Sequence, residues 1–171
     1  MPADSIAFDA LQADTARLDA LEAVPTELKA SLREQGVFSR SWVDTVENVV
    51  GVVESLASSL FKAAVQDADA RLQGKGNIFQ RLDHMADLFI DAGYGDLRIE
   101  VGTETWRRLL DTWAARHVFT HNDGVVDEKY LSRVPHSTVR VGQRITLDDG
   151  TCRRAIQDAT LLCTALIELT S

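Results

Sequence analysis

The 171 residues are 45% hydrophobic and 26% charged, the balance of one globular domain that buries a core without covalent staples. That excludes a disordered chain, a collagen-like repeat and a disulfide-dense scaffold. The net charge of −8 lies wholly in residues 1–102, with nine basic and seventeen acidic side chains, while residues 103–171 hold nine of each; such a protein does not grip long nucleic acid through its phosphates, and any contact with RNA is local.

No apolar run approaches the ~18 residues of a membrane span. The acidic opening MPADSIAFDALQAD lacks a signal pattern. A cytoplasmic protein without membrane contact is expected, with Cys152 and Cys163 as reduced thiols.

The chain reads as mostly helical, with three prolines and abundant Ala and Leu. A first helix is expected over about residues 5–22, with Phe8, Leu11, Leu18 and Leu21 as its apolar stripe. Its aspartates at 4, 9, 14 and 19 spread around the axis and read as a solvated acidic surface. Pro25 and Thr26 open a second helix that ends at Gly36. A long third helix is expected over about 41–72, with Trp42, Val46, Val49, Val50, Val53 and Leu56 on a broad buried face. Gly51 inside it suggests close helix packing.

After the breaker GKGN at 74–77, a fourth helix runs over about 79–92 and ends in GYGD. GKGN lacks the spacing of a nucleotide-binding loop. A fifth helix, capped by Thr103, runs to about Phe119 and stops in HNDG. TVRVGQRITL at 138–147 alternates around a Gly-Gln turn and predicts a small β-hairpin. Thr151 then caps a last helix to about Leu169, with Cys163 on its apolar face. The expected fold is all-α, one helical bundle domain over 1–171 with a hairpin near 138–147.

Chemistry concentrates in RHVFTHNDG, 116–124, which holds two of the four histidines. An imidazole that titrates near neutrality takes or gives a proton, and a guanidinium holds a phosphate and stabilises developing charge. His117 and His121, at i and i+4, share a helix face. Arg116 and His121 are five positions apart, about 140° off one face of an ideal helix. Joint action by Arg116 and His121 therefore requires a distorted helix end or a second subunit that brings its own copy. A two-fold homodimer is expected, with Trp106 or Trp113 contributing to its interface. As a zinc pair the histidines lack a third ligand, since HVFTH has no Glu of the H-E-x-x-H type. No metal or cofactor is expected. His84, in RLDHMADLF, reads as an exposed helix histidine.

Arg116-His117-Val118-Phe119-Thr120-His121 resembles the R-x4-6-H signature of the HEPN superfamily, in which a polar residue commonly follows the Arg. The longer string RHVFTHNDGVVDEKYL is similar to HEPN variants of bacterial conflict, phage-defence and toxin systems, and the resemblance covers residues 103–131. It implies an all-α, dimeric protein and a metal-independent endoribonuclease. Arg116 would hold the scissile phosphate, His121 would be general acid or base, and His117 would assist. Asn122, Lys129 and Tyr130 follow as candidate substrate-binding residues, although a helix-stop Asn, a solvated Lys and a packed Tyr are the plainer readings. The implied reaction is attack of the ribose 2′-OH on its own phosphate, leaving a 2′,3′-cyclic phosphate and a 5′-OH. The alternative is a non-catalytic HEPN-like module that dimerises or docks onto an antitoxin or a larger defence protein.

Overall fold

The computed structural model describes residues 2–171. Among them the regular structure is entirely helical: α1 (Ala3–Glu22), α2 (Thr26–Glu34), α3 (Val37–Ala64), α4 (Ala68–Leu72), α5 (Leu82–Asp91), α6 (Leu97–Val101), α7 (Thr103–Asn122), α8 (Glu128–Arg133) and α9 (Asp149–Thr170). A single 3-10 turn, Ile78–Gln80, leads into α5. No helix among the described residues is long and apolar enough to cross a membrane.

The valine-rich face of α3 sets the architecture. Val46, Val49, Val50, Val53 and Leu56 are all buried, and they draw α1, α7 and α9 around α3 as the central helix. Cys152 and Cys163 are free and lie in this core. Burial pushes both thiols up to about 12, which keeps them protonated. Across the helices, Arg108 on α7 donates to both carboxylate oxygens of the buried Asp158 on α9, at 2.8 and 2.9 Å.

The expected long third helix is in fact two. Val65 adopts an extended conformation, φ −100° and ψ 116°, and stays buried. The Tyr94 hydroxyl donates to the Ala64 carbonyl at 3.1 Å, taking an acceptor freed at the break. Two further expectations along α1 and α3 are corrected. Asp14 is buried, unlike its three neighbours in the series, and receives the Arg17 guanidinium at 2.9 Å. Gly51 faces open space, with nothing within 4 Å of where its Cβ would stand, so it marks no close helix contact.

Caps differ from the sequence reading as well. α7 begins after Gly102 without a side-chain cap from Thr103. α9 is capped by Asp148, which accepts from the Thr151 N–H at 2.7 Å.

The expected β-hairpin at 138–147 does not form. Its turn does, with Gly142 at φ +85°, but the flanking residues pair elsewhere. Gly142 N–H donates to the Val126 carbonyl, Val126 N–H to the Gln143 carbonyl, and Ile145 N–H to the Gly124 carbonyl. The segment is thus held against the loop that follows α7, through one isolated antiparallel bridge between Val125 and Arg144. Burial decides this. Val126, Tyr130 and Val134 form a second small core on Ala114 and Val118 of α7, and Val139 and Ile145 pack onto it. A hairpin folded on itself would strip those two side chains from that cluster.

Trp106 and Trp113, expected at a dimer interface, are buried within the protomer. The Trp106 indole N–H donates to Asp83 at 3.1 Å and ties the start of α5 to α7.

Candidate functional site

The last turns of α7 form one wall of a cleft. Leu110, Trp113, His117 and His121 follow each other at threes and fours, with Ala114 beside Trp113 at i+4 from Leu110, so the five share one helix face. All five line a cleft of about 680 Å³, and Arg116 lines it too. The helix keeps its α-helical form through Asn122, with no distorted end. The 140° offset between Arg116 and His121 is therefore met in another way. The cleft has other elements around it, and a guanidinium on its long stem reaches it from the flank of α7.

The helix stop matches the local chemistry. Asp123 is left-handed at φ 49°, Gly124 follows at φ +78°, and the Gly124 N–H donates to the Val118 carbonyl at 3.1 Å. Only a glycine fits, because a Cβ at 124 would stand 2.7 Å from the Phe119 ring. This stop turns the chain back so that α8 brings Arg133 to the same cleft.

The imidazoles of His117 and His121 lie with ring centroids 4.7 Å apart. His117 is held below the ordinary histidine range. Desolvation is the main cause, followed by the positive charges of Arg133, Lys129 and His121, with Asp127 opposing. A positive charge this close disfavours protonation of His117.

The opposite wall comes from α5 and its lead-in, and sequence reading did not place it in the site. Arg81 and His84 line the cleft together with the adjoining Asp83, whose carboxylate accepts from Trp106. His84 is exposed, as expected, yet it faces this cavity. The available signal was R-L-D-H: Arg81 and His84, at i and i+3, fall on one face at a helix start.

Three arginines, three histidines and one acid therefore line a single cleft on an acidic protein. In four other clefts the acids equal or outnumber the lysines and arginines. Among the described residues, none of the three arginines of the cleft holds a carboxylate, and neither do Arg33, Arg40, Arg140 and Arg154 outside it, whereas Arg17, Arg71, Arg98, Arg107, Arg108, Arg144 and Arg153 each hold one. A cleft lined with unneutralised guanidinium groups attracts an anion, and the planar fork suits a phosphate.

The other candidates lie differently. The Asn122 amide donates to the Val125 carbonyl and braces the turn. Tyr130 is buried in the second core, and its phenol is pushed up chiefly by that burial. Lys129 is exposed on α8 and adds its charge near His117. The remaining histidine, His136, meets Asp111 at 2.9 Å outside the cleft. No three His, Cys, Asp or Glu side chains converge as a metal-binding group among the described residues.

The chain matches no family model, and comparison with curated proteins and with solved structures finds no significant match. The resemblance to HEPN proteins thus stands on the motif residues themselves.

Proposed function

We propose that the protein is a metal-independent endoribonuclease of the HEPN type, acting on cytoplasmic RNA as a toxin or defence effector. The observation that carries this reading is the convergence of Arg116, His117 and His121 on one cleft that is rich in unpaired arginines. Arg116 binds the scissile phosphate and offsets the negative charge that grows on it during reaction. The histidine pair moves the proton. Desolvation keeps His117 mainly uncharged, so the pair accepts the 2′-OH proton as the oxygen attacks phosphorus. The O2′–P bond forms, the P–O5′ bond breaks, and the proton returns to the leaving 5′-oxygen through His121.

The reaction consumes no oxidant and requires the 2′-OH. Purified protein is therefore expected to cut labelled RNA in EDTA, to leave cyclic phosphate ends, and to spare the 2′-deoxy counterpart. Cleavage that depends on Mg²⁺, or equal cleavage of the deoxy strand, overturns the mechanism. The same proposal includes a two-fold homodimer, which light scattering at micromolar concentration tests, and an antitoxin or larger defence protein as regulator.

One observation favours the second reading, a non-catalytic partner-binding module. A cleft of about 590 Å³ between α1 and α3 is lined by Ala3, Ala7, Ala10, Gly51 and Ser55. Asp14 sits in it with one carboxylate oxygen lacking a partner among the described residues, and desolvation raises its pKa. Such a groove accepts a helix that brings a hydrogen-bond donor. Loss of RNA cleavage in every pool tested, with the fold intact, would shift the assignment to this reading.

A further inference from the structure

Arg116 and the histidine pair enter the cleft from α7, and a different set of cations enters it from the start of α5. The Trp106–Asp83 hydrogen bond ties the first turn of α5 to the first turn of α7. Trp106 precedes His117 by eleven residues, which is about 16 Å along a helix axis. Arg81 and His84 stand two residues before and one after Asp83, so this hydrogen bond anchors their stretch of chain near the start of α7 while both line the cleft. Both are exposed, and the Arg81 guanidinium is engaged only by the Lys75 carbonyl, at 2.8 Å. Four of its five N–H donors are left for a ligand.

Leu110 and Trp113 form the floor along the stretch of α7 that the cleft follows. Trp113 is 8% exposed, and its indole N–H has no acceptor among the described residues. An apolar floor flanked by cations from two separate elements suits a strand of alternating bases and phosphates, in which bases rest on the apolar surface and phosphates meet the charges. A single phosphate engages only one of the two cation sets.

We infer that Arg81 and His84 form a second phosphate-binding pole, which holds a neighbouring phosphodiester of the strand whose scissile phosphate lies against Arg116. This rests on the ribonuclease reading for the first pole and adds a site on a separate element, α5. It makes the preferred ligand an unpaired strand with at least two phosphodiesters, since a cleft of about 680 Å³ has no room for a duplex.

The test uses full-length protein and 2′-O-methyl RNA, which cannot be cut. A labelled pentanucleotide and a dinucleotide with one phosphodiester are titrated by fluorescence anisotropy at several salt concentrations. For Arg81→Ala/His84→Ala the pentanucleotide is expected to bind roughly tenfold more weakly, with the salt dependence shallower by about 0.7 per lost phosphate contact. Dinucleotide affinity should change less than twofold, and Arg81→Lys should restore part of the pentanucleotide affinity. Circular dichroism checks that each variant is folded.

Equal binding of the pentanucleotide by wild type and double variant overturns the second pole. So does an equal loss for both ligands, which would make Arg81 and His84 part of one site. If the strand binds in an Arg81-dependent way but unmodified RNA is never cut, the pole stands and the nuclease reading falls. If wild type binds neither oligonucleotide, both fall.

Discussion

His117 and His121 stand one helical turn apart on α7, with ring centroids separated by 4.7 Å. His117 is held below the ordinary histidine range, first by desolvation and then by the positive charges of Arg133, Lys129 and His121.

Proton-detected titration of the imidazoles is expected to find His117 below the ordinary histidine value of about 6.5. In His121→Gln it should move upward, because one positive neighbour is gone, but stay below that value because desolvation persists. The sign for stability follows. The unfolded chain binds a proton at His117 more readily than the folded one, so stability falls as pH drops from above about 6.5 through the folded value. Urea unfolding at pH 7.5 and 5.5 checks this, and His117→Gln should flatten that part of the profile. A His117 that titrates above the ordinary value would refute the arrangement.

Arg116→Ala and His121→Ala are expected to keep the fold and lose RNA cleavage. Neither side chain belongs to the core, and surface changes typically cost under about 0.5 kcal/mol. The measurement pairs thermal unfolding with a cleavage assay. A variant that unfolds at 25 °C would make its residue structural rather than catalytic.

Arg108→Ala removes both donors from Asp158, whose side chain is only 3% exposed. A lone buried carboxylate is costly, but the Arg108 side chain is 38% exposed and water screens its share. The expected loss is about 2–3 kcal/mol, below the full value for a buried pair. Asp158→Asn should cost less, since it leaves no charge behind. Equal stability of Arg108→Ala and wild type in urea would show that the pair contributes nothing.

Gly124→Ala tests the stop that turns the chain back to the cleft. The substitution meets both a left-handed φ of +78° and the Phe119 ring at 2.7 Å. A loss of roughly 1–3 kcal/mol is expected, together with weaker protection of the amides of α8 in hydrogen exchange. An unchanged midpoint would mean that this turn relaxes freely.

The helical class and the motif on α7 were legible in the residues alone. Both depend on local features: apolar residues at threes and fours, a His pair one turn apart, and an Asn-Asp-Gly stop whose glycine meets a positive φ. Where competition between distant partners decided the outcome, local pattern was insufficient. Alternation at 138–147 marked extended backbone and its turn correctly, but residues 124–126 and the core under Val139 and Ile145 determined what it paired with. Val65 lies in a run that continues the helical period, yet the buried Val65 and the Tyr94 hydroxyl stabilise a break there. The second wall of the cleft is of the same kind. Arg81 and His84 stand 35 and 37 positions from Arg116 and His121, and no spacing rule links them. A shared apolar core and the Trp106–Asp83 hydrogen bond hold α5 and α7 so that these residues reach one cavity, because side chains far apart in sequence meet only when helices bury their apolar faces together.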